Sequence, residues 1–217
     1  MGKSLYSLML SDEVVAEVDR IAHKSGLTRS AQVNRILAQF ASVTTPGERI
    51  SNIFSCIESV FESSKDIVPM LSPNQSTVAL RSCLNYKYRP SVRYEVEIFS
   101  VEEKRTCRIS VLFRTKSEEL LRRMTSFFLF WERLETDVRK THEGVAEVEY
   151  ELCDGRFSRS CFLSGHVQEC GDETGKAISL YLGTFDEIMK GCLEGRYTEH
   201  DAEKIYVFRL CENSHII

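Results

Sequence analysis

Alternation with a period of two governs the first residues of the chain. Tyr6, Leu8 and Leu10 fall on one face of an extended segment, and Lys3, Leu5, Ser7 and Met9 on the other. At Ser11 the period lengthens. Val14, Val18, Ile21 and Ala22 recur at helical spacing, with Ser11 placed as the N-cap and Asp12 and Glu13 in the first turn, where the helix dipole favours carboxylates. Gly26 predicts a left-handed stop after Lys24. Thr28 then caps a second helix with the apolar stripe Val33, Ile36, Leu37 and Phe40, and Pro46-Gly47 marks a break. Both helices are about three turns long, too short to stand alone. The strand ahead of them has no local hairpin partner, so it is expected to pair antiparallel with its own copy about a two-fold axis.

The remaining pattern predicts a second domain. Residues 48–63 read as an amphipathic helix with Ile50, Ile53, Phe54, Ile57, Val60 and Phe61 on one side, either a connector across the dimer axis or a core helix. Pro69 to Gln75 reads as turns. A meander follows, with alternating strands from Val78 to Tyr88, Val92 to Ile98 and Ile109 to Phe113. Thr115 with Glu118 forms a capping box for a helix reaching about Val138. Ala146 to Leu152 alternates again, Asp154-Gly155 predicts a hairpin turn, and a return strand runs from Phe157 to Cys170, interrupted near Gly165. A strand at Ile178 to Leu182, a helix at Phe185 to Glu194 and a last strand at Ile205 to Cys211 complete the prediction. The fold class is α+β with an antiparallel sheet, arranged as two strand-strand-strand-helix units. Residues 1–45 and 47–217 are the expected domains.

Composition narrows the class. The chain has 217 residues, 42% hydrophobic and 28% charged, as an ordinary globular protein has. Net charge is −4, which argues against nonspecific nucleic-acid binding by the whole surface; residues 1–45 carry +1 of it and the rest −5. The eight cysteines stand singly, with no signal peptide ahead of them, and read as reduced, mostly buried thiols of a cytoplasmic protein. The apolar run Phe127 to Trp131 is far too short to span a bilayer, so no membrane role is expected.

Three motifs in register carry a resemblance: Leu8-Met9-Leu10-Ser11-Asp12-Glu13, Ala16-Glu17-Val18-Asp19-Arg20-Ile21-Ala22 and Ser25-Gly26-Leu27-Thr28-Arg29-Ser30. Together they resemble the ribbon-helix-helix family, the CopG/MetJ/Arc group of DNA-binding repressors. The resemblance covers about a fifth of the chain. It implies a homodimer or higher homo-oligomer whose paired ribbons enter the major groove of double-stranded DNA, with Leu5, Ser7 and Met9 toward base edges and Lys3 at the entrance. It also implies a phosphate grip by Thr28, Arg29 and Ser30, which agrees with the free amides and dipole of a helix N-terminus. One departure stands out: the family usually places Arg, Lys, Thr, Asn or Gln at the reading positions, whereas Leu5 and Met9 are apolar and suit thymine methyls alone.

Other chemistry is weakly represented. His23, His142, His166, His200 and His215 form no ligand motif with each other or with cysteines, so neither metal nor cofactor is expected. Glu147, Glu149 and Glu151 share a strand face and read as solvated. The run Phe127 to Trp131 is apolar all round a helix and must be core or interface. No phosphate loop or nucleophile motif appears, and no enzyme is expected. The expected function is a sequence-specific transcriptional regulator, with residues 47–217 adding oligomer contacts or sensing a ligand or protein. The alternative is an antitoxin-like interaction module, in which the N-terminus only dimerises and the larger domain binds a protein partner.

Overall fold

The computed structural model describes residues 5–41, 43–74, 76–99, 107–141, 148–153, 155–161 and 171–212. Within them lie α1 (Asp12–Lys24), α2 (Arg29–Phe40), α3 (Pro46–Glu62), β1 (Ile67–Asn74), β2 (Thr77–Cys83), β3 (Ser91–Ile98), β4 (Cys107–Phe113), α4 (Glu118–Lys140), β5 (Val148–Cys153), β6 (Arg156–Cys161), α5 (Gly171–Leu193) and α6 (Glu199–Glu212). The architecture is mixed α+β with an antiparallel sheet. The chain divides into two compact units, Met1–Arg49 and Ile50–Ile217.

In the first unit, α1 begins after Ser11, whose backbone is extended at φ −68° and ψ 150° but whose side chain makes no capping bond. It ends in a Schellman turn: Leu27 N–H donates to the Ala22 carbonyl at 2.9 Å and Gly26 N–H to that of His23 at 3.3 Å, with Gly26 at φ +64°. Thr28 caps α2 by accepting from Ala31 N–H at 3.3 Å. Residues 5–11 form neither helix nor a strand paired within the chain. Val18 and Ala22 are the only apolar side chains of α1 and α2 that are buried.

The second unit is built on one six-stranded sheet in the order β1-β2-β3-β4-β6-β5, antiparallel throughout. One face carries Val78, Leu80, Val92, Tyr94, Val96, Ile109, Val111 and Phe157, all buried. Helices α4 and α5 pack on it, with Phe128 stacked on Phe157 at 5.0 Å and Phe185 edge-on to Tyr94 at 6.2 Å. Trp131 meets Phe185 at 4.8 Å and Tyr206 at 5.3 Å, which brings α6 onto the same core. Helix α3 contributes Ile53, Phe54, Ile57 and Phe61 to it, which settles its 50–62 portion as a core helix. At Gly175 a Cβ would stand 2.6 Å from that of Cys56, so α3 and α5 approach too closely for a side chain there.

Several expectations are corrected. Pro69 to Gln75 is not a run of turns, because β1 occupies Ile67–Asn74; its prolines are tolerated at the sheet edge, where one side of the backbone needs no partner. Strand β2 stops at Cys83, and Tyr86 to Arg89 form a turn. The cap of α4 is Ser117, which accepts from Leu120 N–H at 3.2 Å, while Thr115 accepts from Ser117 N–H. The strand at 178–182 and helix at 185–194 are one helix, α5, buried on most sides; a helix without a polar face has no amphipathic period to reveal it. The last strand is also a helix, α6, started by reciprocal bonds between Thr198 and Asp201. Two repeated strand-helix units therefore give way to one continuous sheet.

Part of the return strand, 162–170, lies outside the described residues; β6 accounts for 156–161. The all-thiol expectation fails at Cys107, which is disulfide-bonded and stands opposite Cys161 in the β4–β6 register. Cys83, Cys153 and Cys192 are free thiols. Within the Phe127 to Trp131 run, Leu129 is half exposed, so the helix is not apolar-packed on every side. Among the described residues no helix is long and apolar enough to cross a membrane.

Candidate nucleic-acid interface

The residues implied in DNA contact fall into two groups. Leu5, Ser7 and Met9 lie in the unpaired segment and are fully exposed, Leu5 at 98% and Met9 at 102%. Their even-numbered neighbours are progressively more covered toward α1: Tyr6 82%, Leu8 62%, Leu10 46%. All of these side chains are exposed and residues 5–11 form no strand within the chain, so the expected ribbon is not borne out here. Lys3 lies outside the described residues.

Thr28, Arg29 and Ser30 come together at the start of α2. The Schellman turn fixes where α2 begins, and the Thr28 hydroxyl takes up the Ala31 amide. The amides of Arg29 and Ser30 find no acceptor among the described residues, and Ser30 is exposed. Those two donors and the positive end of the helix dipole make a site able to hold a phosphate oxygen. Arg29 is not idle beside it. Its Nε and Nη2 donate to Asp19 of α1 at 2.6 and 2.5 Å, a forked pair that crosses between the helices. The bonds from Arg29 hold the Asp19 carboxyl below its ordinary pKa. Asp19 was not singled out in the sequence, since ten residues separate it from Arg29.

The second unit holds a polar cluster that sequence reading also missed. Glu135 of α4 and Arg159 of β6 form an ion pair at 3.1 Å with both side chains fully buried. Tyr150, Tyr181 and Tyr206 all donate to the Glu135 carboxylate, at 2.9, 3.3 and 2.9 Å, and Trp131 Nε1 donates to the Tyr181 hydroxyl. The Arg159 guanidinium lies 4.4 Å from the Tyr181 ring centre. Burial raises the pKa of each of these tyrosines, and the charge of Glu135 adds to it. For Arg159 burial works downward, but Glu135 and the tyrosines hold its pKa above the usual arginine value. A signal was available. Arg159 alternates with Ser158 and Ser160 on the inward register of Phe157, and Glu135 sits four residues after Trp131 on the buried stripe of its helix. With its carboxylate saturated by hydroxyls, this cluster is built to hold α4, α5, α6 and the sheet together.

Nearby, Tyr94 donates to Asp186 at 2.7 Å and Lys190 pairs with the same carboxylate at 2.7 Å. Glu149 and Glu151 are exposed on β5; Glu147 lies outside the described residues. Among the described residues no group of three metal-ligating side chains is found. Comparison with family models, curated proteins and solved structures finds no match to this chain.

Proposed function

We propose that the chain is a sequence-specific DNA-binding transcriptional regulator of the ribbon-helix-helix type, acting in the cytoplasm as a homodimer or higher homo-oligomer. The observation that carries this reading is the segment from Leu5 to Leu10. It is apolar, unpaired within the chain, and followed by two short helices joined by a Schellman turn and a capped N-terminus. A unit of about fifty residues that buries so little apolar surface has too small a core to hold itself together. A second copy supplies what is missing: strand pairing for 5–10 and a cover for Tyr6, Leu8, Leu10, Leu37 and Phe40.

Pairing of the two segments leaves Leu5, Ser7 and Met9 on the outer face of a ribbon that fits the major groove. The Arg29 and Ser30 amides clamp a backbone phosphate. Arg29 then exchanges Asp19 for phosphate, which an exposed, salt-screened ion pair permits. Leu5 and Met9 favour thymine methyls, so the preferred site is rich in A·T pairs. The test is direct: enrichment of a short inverted or tandem repeat from random duplex DNA supports the regulator, and none sinks it.

The apolar reading positions and the engagement of Arg29 by Asp19 favour a second reading, a protein-interaction module in which the N-terminus only dimerises. Its binding to a protein partner would change little with salt, whereas phosphate-clamped binding falls steeply.

A further inference from the structure

Three turns converge at one end of the sheet. The register places the 84–90 turn between β2 and β3, residues 114–117 after β4, and the β5–β6 hairpin on the same end. Phe113 N–H donates to the Gly155 carbonyl at 3.0 Å, tying the second of these to the third. This end is basic in a chain of net charge −4. Arg81, Lys87, Arg89 and Arg93 fall within a stretch, 81–93, that has no acidic residue; Arg114, Lys116 and Arg156 join them, against Glu118 and Glu119 after the second turn and Glu149, Glu151 and Asp154 in the hairpin sequence.

On the sheet face turned away from α4 and α5, Arg81 lies opposite Arg93, Arg93 opposite Leu112, and Leu112 opposite Arg156. Like charges directly opposite one another on a sheet are destabilising, so the row needs a compensating reason. Arg93 is paired with Glu95 at 2.8 Å and Arg156 donates to the Ser110 hydroxyl. Arg81, Lys87, Arg89, Arg114 and Lys116 are exposed and have no carboxylate partner among the described residues.

The tip of the 84–90 turn adds an aromatic ring. Tyr88 is 88% exposed, and it and Arg89 both take positive φ, +68° and +44°, unfavourable for side chains of this size. The turn is nonetheless held, by Leu84 N–H on the Pro90 carbonyl at 2.9 Å and Arg89 N–H on that of Tyr86 at 2.8 Å. These bonds hold the exposed ring at the tip between Lys87 and Arg89, with the Lys87 Nζ over one face of it at 5.2 Å from the ring centre and the other face open to a base.

We propose that this end of the sheet binds single-stranded nucleic acid, with phosphates along Arg81, Arg93 and Arg156 and an unpaired base stacked on Tyr88. A rigid exposed ring flanked by cations suits a base face and its phosphates, which is how strands are held without base pairing. Duplex DNA offers no open base to Tyr88. The inference stands apart from the N-terminal reading, since none of its residues lies in α1 or α2.

The test uses the full-length chain carrying Arg29→Ala, so that any N-terminal phosphate grip is removed. Fluorescence anisotropy is measured with a labelled single strand of about 12 nucleotides and with the matching duplex, at low and physiological salt. The single strand is expected to bind more tightly than the duplex. Tyr88→Ala weakens that binding about tenfold while Tyr88→Phe keeps it. Arg81→Ser with Arg156→Ser flattens the salt dependence by about 0.7 for each phosphate no longer neutralised. All four positions are exposed, and circular dichroism melting verifies that the variants stay folded. Equal affinity for duplex, no binding at low salt, or indifference to Tyr88→Ala overturns the proposal.

Discussion

Arg29 sets its Nε and Nη2 against the two carboxylate oxygens of Asp19, so the residue expected to grip phosphate is held by a carboxylate when DNA is absent. Both side chains are exposed, and an exposed pair of this kind is weak enough to give way to a competing anion. Arg29→Ala should therefore weaken DNA binding on every sequence and lower the salt slope by about 0.9 for each phosphate no longer neutralised. Asp19→Asn should strengthen it. Binding isotherms over a salt series check both directions, and an unchanged slope in Arg29→Ala contradicts the grip.

The same pair sets an acid limit. Asp19 is held below its ordinary carboxyl value of 3.8, so the pair is fully formed above that value and is lost as pH falls through the lowered one. Between neutral pH and that window the difference in DNA affinity between the parent and Asp19→Asn should stay constant. A difference that fades well above pH 3.8 contradicts this.

Coverage rises along Tyr6, Leu8 and Leu10 while Leu5 and Met9 remain bare. The even positions are accordingly expected inside a dimer and the odd ones outside it. Leu8→Lys should convert the dimer to monomer, whereas Met9→Lys should leave it intact, as read by sedimentation equilibrium. Dimers surviving Leu8→Lys would remove the ribbon from the interface.

Glu135 and Arg159 are buried together, and each is costly without the other. Glu135→Ala should cost about 3–5 kcal/mol of unfolding free energy, because it strands a buried guanidinium and three hydroxyls. Arg159→Met should cost a similar amount, and the two together clearly less than their sum. Urea denaturation of the four proteins of that cycle gives the coupling; additivity would mean the pair is not interdependent.

Tyr94, Tyr150, Tyr181 and Tyr206 all have pKa values raised above the ordinary 10 by burial, and further by Asp186 or Glu135. Their stabilising contribution is fully present below pH 10 and is lost as pH rises through the higher folded values. In a spectrophotometric titration, four of the eight tyrosines should ionise only as the fold opens. Eight equivalent phenols titrating near pH 10 with the fold intact would contradict the buried network.

Local chemistry was well represented in the sequence. Ser25-Gly26 and Thr28 located the junction of α1 and α2, and Asp154-Gly155 located the hairpin, with Gly155 at φ +70°. Segments whose state depends on distant partners were harder to read. The prolines at 69 and 73 masked β1, whose edge position alone makes them acceptable. The apolar stretch Ile178 to Phe185 lost its helical period because Trp131, Tyr94 and the sheet surround it. In Ile205 to Phe208, β-branched and aromatic residues mimicked a strand, whereas Ala202 and Tyr206 bury one helical face. At the candidate interface, Thr28, Arg29 and Ser30 were identifiable from the cap. Asp19 was not, because no local rule joins residues on different helices.

The most direct test is selection of bound fragments from random duplex DNA by the purified full-length protein, at low and physiological salt. A regulator of this design should enrich an A·T-rich inverted or tandem repeat at both salts, more sharply at the higher. A folded dimer that enriches nothing at either salt would contradict DNA reading by residues 5–9 and leave the N-terminal unit as a dimerisation element alone.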